Sequence, residues 1–154
     1  MGTNTELYDQ DFFEWTETTA ALLRQGKWHD VDMEACAEEI ESLGNRDKRE
    51  LGSRLQVLVM HLLKWCYQPS ERSGSWCSTI NTQRLELTVL LEQSPSLRRL
   101  VEANLTRRYP YAREGALAET GLSEAALPQA CPWTVAQVLD EDFWPEENAS
   151  HDAH

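Results

Sequence analysis

The feature that most constrains the fold is an apolar stripe of helical period in the middle of the chain. The stripe consists of Leu51, Leu55, Leu58, Leu62 and Trp65. These residues are spaced four, three, four and three positions apart, which places them on one face of an α-helix. Pro69 predicts the end of that helix, because proline cannot donate the backbone hydrogen bond that would extend it. Helical periodicity dominates elsewhere too, and the alternation typical of strands is nearly absent.

Turn and capping residues divide the chain into predicted helices. The first three predicted segments run from Tyr8 to Gly26, from an N-cap at Asp30 to Gly44, and from an N-cap at Asp47 to Pro69. The next two run from an N-cap at Ser75 to Leu91 and from Ser94 to a kink or end at Pro110. The last two run from Tyr111 to Gly121 and from a capping box at Thr134 to the residues before Phe143. Short loops favour antiparallel packing of neighbours. The sequence therefore predicts an all-α, single-domain bundle of about six to seven helices, with mostly antiparallel neighbours.

The extent and location of the domain follow from length and composition. The 154 residues are the size of one ordinary domain, and we expect it to cover residues 1–145, followed by a frayed acidic tail at 146–154. Neither an 18-residue apolar run nor the basic and apolar regions of a signal peptide occur in the sequence. We therefore expect a cytoplasmic protein with no membrane partner.

Charge is distributed unevenly along the chain, whose net charge is −12. All fourteen Lys and Arg lie between Arg24 and Arg113, together with twelve acids, so this span carries +2 and the two flanks carry −14. Such a balance argues against nucleic acid as the partner, because the whole chain would be repelled by phosphates.

One candidate catalytic group lies on the helix that carries the leucine stripe. Arg54 and His61 are two turns apart and Lys64 follows by three residues, so Arg54 or Lys64 could hold a phosphate while His61 moves a proton. Helical HEPN ribonucleases have a catalytic Arg and a His with four to six residues between them, and six residues separate Arg54 from His61. The polar residue that usually follows their Arg is missing here, since Leu55 and Gln56 follow Arg54. A hydrogen-bonded core histidine is the interpretation that we favour.

A metal site is a weaker alternative, between the predicted second and third helices. Glu38 and Glu41 could join His61 as ligands, but the Glu-x-x-His motif of di-iron bundles is absent. We favour acids that face water or pair with Arg54 and Lys64, and we predict no cofactor.

Rings and cations alternate around the predicted loop after Pro69. The cluster consists of Lys64, Trp65, Tyr67, Arg72, Trp76 and Arg84. Its candidate ligand-binding residues are Trp65, Arg72, Trp76 and Arg84. Interleaved aromatic and basic side chains can stack bases and neutralise phosphates. They can equally be core tryptophans beside arginines whose charged heads reach the surface, and we favour that interpretation.

Blocks of sequence along nearly the whole chain resemble a bacterial family catalogued as domain of unknown function twenty-nine. The blocks include Tyr8-Asp9-x-Asp11-Phe12-x-x-Trp15, Glu38-Glu39-Ile40-Glu41-Ser42-Leu43-Gly44, His61-Leu62-Leu63-Lys64-Trp65, Ser94-Pro95-Ser96-Leu97, Glu119-Thr120-Gly121-Leu122, Cys131-Pro132-Trp133 and Phe143-Trp144-Pro145. The resemblance implies a helical bacterial protein and brings no established activity, cofactor or catalytic residue.

Six tryptophans in a chain without a recognisable catalytic motif favour a non-enzymatic interaction module. Its expected partner is another protein or a second copy of this chain. A phosphodiester hydrolase and a metal-binding or small-ligand-binding protein remain the alternative hypotheses.

Overall fold

The computed structural model of the chain describes residues 3–146, and these contain helices and no β-strand. The predicted all-α class is confirmed. The helices are α1 (Asn4–Gln10), α2 (Phe12–Arg24), α3 (Met33–Tyr67), α4 (Gly74–Gln93), α5 (Arg98–Thr120) and α6 (Val135–Leu139). Two compact units divide the chain at residue 46, and each is described by itself. Residues 147–154 of the predicted tail lie outside the described residues, and the predicted domain limits remain a prediction.

The first unit opens with two helices where the sequence predicted one. α1 already begins after Thr3, whose hydroxyl accepts from the Glu6 amide. Asp11 then adopts an extended backbone (φ −148°), and its carboxylate accepts from the Glu14 amide at 3.1 Å. Aspartate is a strong N-cap, so it starts a new helix here rather than continuing the old one. The predicted end at Gly26 is confirmed, and this glycine has a φ of 71°.

Asn4 links three segments of the first unit. Its Oδ1 accepts from the indole Nε1 of Trp15 at 3.1 Å and from the amide of Asp32 at 2.9 Å. Its Nδ2 donates to the Thr19 hydroxyl at 2.9 Å. Trp15 and Thr19 are buried, so these bonds satisfy polar groups that water cannot reach.

The helix α3 merges the predicted second and third helices into one helix of 35 residues. The predicted break at Gly44 is wrong. Glycine costs only about 1 kcal/mol inside a helix, which does not by itself end one. The predicted cap at Asp30 is also wrong, because the carboxylate of Asp32 accepts from the Ala35 amide at 3.0 Å. The predicted end near Pro69 is confirmed, since α3 stops at Tyr67.

In the second unit, α3 and α4 run in opposite directions. Arg54 lies 3.6 Å from Glu86, whereas Lys64, ten residues further along α3, lies over the ring of Trp76. The residue numbers of the contacts fall along α4 as they rise along α3, so the two helices are antiparallel. The cap of α4 is Ser73, whose hydroxyl accepts from the Trp76 amide, and not the predicted Ser75.

The helix α5 runs alongside α3 in the same direction, because Gln56 contacts Arg108 and Lys64 contacts Glu119. α3, α4 and α5 therefore form an up-down-up bundle. The helix α5 continues through Pro110 to Thr120, so the predicted end at Pro110 and the separate segment after it are wrong. The alternative of a kink at Pro110 stays a prediction.

The core of the second unit confirms the leucine stripe. Leu51, Leu55, Leu58 and Leu62 are fully buried, and Trp65 is partly buried against them. Ile80, Leu87, Val101, Leu105, Tyr109 and Ala112 fill the same core from α4 and α5. The predicted capping box of Thr134 and Gln137 is confirmed at the start of α6. None of the helices within residues 3–146 is long and apolar enough to cross a membrane.

Candidate functional site

The first of the predicted catalytic residues, Arg54, is held by carboxylates. Its Nε donates to Glu50 at 2.8 Å on the same helix, and its Nη2 lies 3.6 Å from Glu86 on α4. Its Nη1 donates to Gln83 at 3.3 Å. These contacts account for all three guanidinium nitrogens, and none of them joins Arg54 to His61.

His61 is half-buried on α3, and its Nδ1 lies 2.8 Å from the carbonyl oxygen of Val57. Burial lowers the pKa of His61, because the charged imidazolium loses solvation. The positive charge of Lys64 acts in the same direction, while the Val57 carbonyl and Glu119 oppose the shift. This arrangement favours a neutral imidazole that is tied to the helix backbone.

Lys64 is buried, with 6% of its surface exposed. Its Nζ donates to Oε2 of Glu119 and lies 4.6 Å from the centre of the Trp76 ring. A carboxylate and an aromatic face are the two environments that compensate a buried ammonium group. Sequence reasoning missed Glu119 as the partner of Lys64, because 55 residues separate the two and no local spacing links them.

The aromatic and basic residues around the C-terminal end of α3 form one cluster with the C-terminal segment of the described chain. Arg72 donates from Nε to the Trp65 carbonyl at 2.7 Å and lies 4.8 Å over the ring of Trp65. The rings of Trp65 and Trp144 are 4.8 Å apart. Trp144 is therefore a member that sequence reasoning did not include.

Arg84 is the most deeply buried charge of the cluster, with 1% of its surface exposed. Its Nε donates to the Val138 carbonyl at 2.9 Å and its Nη2 to the Gln137 carbonyl at 3.4 Å, so it caps the end of α6. Burial lowers the pKa of Arg84, and Asp140 opposes that shift.

Each basic member of this cluster already has an acceptor within the protein. Lys64 bonds to Glu119, Arg72 to a carbonyl of α3, and Arg84 to the end of α6. A phosphate would have to displace these bonds. Arg84 Nη1 is the one donor of these cations that is buried without a hydrogen-bond partner among the described residues. Because Arg84 is only 1% exposed, this nitrogen does not present an open phosphate site.

The predicted metal ligands Glu38 and Glu41 are exposed. The two predicted helices that were expected to frame the site belong to the single helix α3. Within residues 3–146, no three His, Cys, Asp or Glu side chains come together in a way that could hold a metal ion. Glu39 accepts a hydrogen bond from the hydroxyl of Tyr8, which raises the pKa of Tyr8 to about 12.

An exposed apolar stripe lies on the N-terminal part of α3. We call this stripe, made up of Met33, Ala37, Ile40 and Leu43, the α3 apolar face. Met33 is 51%, Ile40 69% and Leu43 56% exposed. The spacing of four, three and three residues places them on one side of the helix. Ala35, on the other side of the helix, is buried, whereas the apolar face is left exposed by the described residues of the first unit.

A row of carboxylates borders the α3 apolar face. Glu34, Glu38 and Glu41 are all exposed, and their spacing of four and three residues sets them side by side on the same helix. We call them the α3 acidic row. The first unit as a whole has eleven acids against three Lys and Arg in residues 1–46, a net charge of −8.

The described residues form an all-helical protein whose first unit is acidic and exposes an apolar face. In the second unit, the buried cations Lys64 and Arg84 bond to acceptors within the protein. The sequence model of the family described as domain of unknown function DUF29 matches residues 7–144. The chain belongs to this family, as its sequence blocks had indicated. Neither a curated protein nor a solved structure matches the chain.

Proposed function

We propose that the protein is an interaction module whose α3 apolar face binds a partner protein with a basic, amphipathic surface. The observation that carries this proposal is the exposure of Met33, Ile40 and Leu43 on one side of a helix. Apolar residues at positions i, i+4 and i+7 are the anchors with which a helix docks into an apolar groove. Contiguous exposed apolar surface of this kind is typical of interaction sites.

The chemistry of the partner follows from the α3 acidic row. Glu34, Glu38 and Glu41 border the apolar residues, so a groove rimmed by Lys and Arg would match both features. An anionic lipid surface or a nucleic acid would meet the −8 charge of residues 1–46 with repulsion.

Charge also argues against a second copy of this chain on the same face. A two-fold interface brings identical patches together, so it would set one α3 acidic row against the other. A partner of opposite charge has no such cost, and we favour it over self-association.

A designed peptide with a leucine face flanked by lysines tests this proposal on the intact chain. We expect binding that weakens as salt is added, measured by fluorescence anisotropy, and much weaker binding of a peptide in which glutamates replace the lysines. Replacing Ile40 by Ser should reduce the affinity about 10- to 150-fold, because one buried aliphatic side chain contributes about 1.5–3 kcal/mol. The matched control is Leu85→Ser, which changes an apolar residue on α4 that is 55% exposed.

Three results would contradict the proposal. Equal affinity for the lysine and glutamate peptides would refute the role of charge. Equal losses in Ile40→Ser and Leu85→Ser would refute the role of the α3 apolar face. A concentration-dependent dimer that Ile40→Ser abolishes would assign this face to self-association.

A phosphodiester hydrolase that uses His61 with Arg54 and Lys64 is the second candidate. The proximity of His61 to the Lys64–Glu119 pair supports it, because the pair and the imidazole together could shuttle a proton. Incubating the chain and its His61→Ala variant with a labelled RNA oligonucleotide tests the idea. Cleavage that is lost in the variant would support it, and no cleavage by either protein would refute it.

A further inference from the structure

The second unit contains a cleft of about 510 Å³ between α5 and the segment that leads into α6. Its volume lies in the range of small-molecule sites. Glu102, Thr106 and Pro110 line one wall, and their spacing of four residues sets them in one row along α5. The α3 apolar face belongs to the other unit, so the inference drawn from this cleft is independent of the proposed function.

Pro110 changes the chemistry of this wall. Proline has no amide hydrogen, so the carbonyl of Thr106 lacks the α-helical donor that a residue four positions later would supply. This carbonyl belongs to a residue that lines the cleft. Among the residues of this wall, Thr106 is therefore the one whose carbonyl lacks its usual α-helical donor.

Glu102 adds a negative charge one turn earlier in the row. Its carboxylate has no hydrogen bond or ion pair among the described residues. It is also the only charged side chain of the described lining, which contains neither Lys nor Arg. An unpaired carboxylate beside a carbonyl without a donor favours a cation that can donate hydrogen bonds.

The rest of the lining is suited to an apolar body. Trp133 is half-buried, and Leu105 and Tyr109 belong to the core. The hydroxyl of Tyr109 already donates to the Pro128 carbonyl at 2.6 Å, so Tyr109 contributes an apolar ring to the lining and not a free hydroxyl. An indole ring attracts a cation as well as apolar groups.

We propose that this cleft binds a primary ammonium ion carried on an aromatic or aliphatic body. The ammonium group lies between the Glu102 carboxylate and the Thr106 carbonyl, and the body packs against Trp133. Such a group occurs in free amines and in lysine side chains, and the two sources can be separated by competition.

The test is a titration of the intact ¹⁵N-labelled chain with phenethylammonium, followed by NMR, with the neutral 2-phenylethanol as the matched ligand. We expect shift changes at residues 102–110 and 129–135 and at least about tenfold weaker binding of the neutral ligand, because a charged hydrogen bond is lost. Equal affinities, or no binding of the ammonium ion at 10 mM, on the order of the weakest specific affinities, would overturn the proposal.

Two variants assign the site to its residues. Glu102→Gln should weaken phenethylammonium about tenfold, whereas Glu92→Gln, at an exposed glutamate of α4, should leave it unchanged. Pro110→Ala restores the amide that the Thr106 carbonyl lacks, so it should weaken binding while raising the thermal midpoint. A raised midpoint with unchanged binding would mean that the carbonyl takes no part.

Competition identifies the source of the ammonium group. Displacement of phenethylammonium by the leucine–lysine peptide at low salt would assign the cleft to a lysine side chain, and independent binding of the two would assign it to a free amine. Either result supports the ammonium site. Loss of peptide binding in Ile40→Ser with phenethylammonium binding intact would show that the two sites act separately.

Discussion

Replacing Gly44 by Ala tests the continuity of α3. If the helix runs unbroken from Met33 to Tyr67, Gly44 has helical backbone angles, and an added Cβ would meet no atom within 4 Å. Alanine is then about 1 kcal/mol more favourable than glycine at this position, because its unfolded state is less flexible. The free energy of unfolding should therefore rise by about 1 kcal/mol.

Gly26 offers a matched control in the same unit. An added Cβ there would also meet no atom within 4 Å, but its φ of +71° lies in the left-handed region. Alanine in that conformation costs about 1–2 kcal/mol. The same chemical change should therefore destabilise the protein at Gly26 and stabilise it at Gly44.

Thermal unfolding followed by circular dichroism at about 222 nm, the helix signal, measures both effects. In a domain of this size, 1 kcal/mol shifts the midpoint by about 2–4 °C. We expect a rise of about 2–4 °C for Gly44→Ala and a fall of about 2–8 °C for Gly26→Ala. A fall for Gly44→Ala of the size seen for Gly26→Ala would refute the continuous helix, since it would mean that Gly44 ends a helix with a positive φ.

Three further predictions concern polar groups inside the two units. Asn4→Ala leaves the indole of Trp15 and the amide of Asp32 without an acceptor. Denaturant unfolding should show that the free energy of unfolding falls by about 2–4 kcal/mol, and a fall of less than about 0.5 kcal/mol would contradict this prediction. Arg84→Met removes the donors to the carbonyls at the end of α6. It should lower the thermal midpoint by about 4–12 °C. An unchanged or higher midpoint would mean that burying the guanidinium group costs more free energy than its hydrogen bonds contribute. The pKa of His61 is lowered in the folded state, so the stability linked to its neutral form is fully present above its unfolded value of about 6.5 and is lost as pH falls through the lower folded-state pKa. The midpoint difference between the parent and His61→Gln should therefore be larger at about pH 7.5 than at about pH 5, and a difference independent of pH would refute it.

The parts of the fold that sequence predicted well are those decided by local chemistry. The leucine stripe around Leu55 and Leu58 could be predicted from its helical period alone. The end of α5 could be predicted from Gly121 alone, because glycine readily adopts the left-handed backbone that ends a helix. The capping box at Thr134 is likewise contained in four residues. Each of these signals acts within one or two turns, so no tertiary information is required to interpret it.

The helix boundaries that sequence missed depend on tertiary context. Glycine costs about 1 kcal/mol inside a helix, which does not by itself end one, and α3 passes Gly44. Proline costs about 3 kcal/mol, but Tyr109 and Ala112 beside Pro110 are buried in the core, and this packing supports α5 through the proline. Asp11 has the opposite ambiguity, because an aspartate can sit inside a helix or cap the next one. The choice at Asp11 accompanies the burial of Trp15, four residues later.

The candidate sites depended on long-range contacts even more strongly. Lys64 meets Glu119 across 55 residues of sequence, so the spacing of Arg54, His61 and Lys64 could not identify its partner. The helical spacing of Met33, Ala37 and Ile40 can be seen in the sequence, but the sequence does not say whether these side chains are covered. Exposure is a property of the folded chain, and the exposure of Met33, Ile40 and Leu43 is what supports the proposed binding surface.

Hydrogen–deuterium exchange of the intact chain, with and without the leucine–lysine peptide, tests the central claim most directly. If the α3 apolar face binds a basic amphipathic partner, amide exchange should slow in residues 33–43 and stay unchanged in α4. Slower exchange confined to residues 47–146, or no change anywhere at a peptide concentration that saturates binding, would contradict the account.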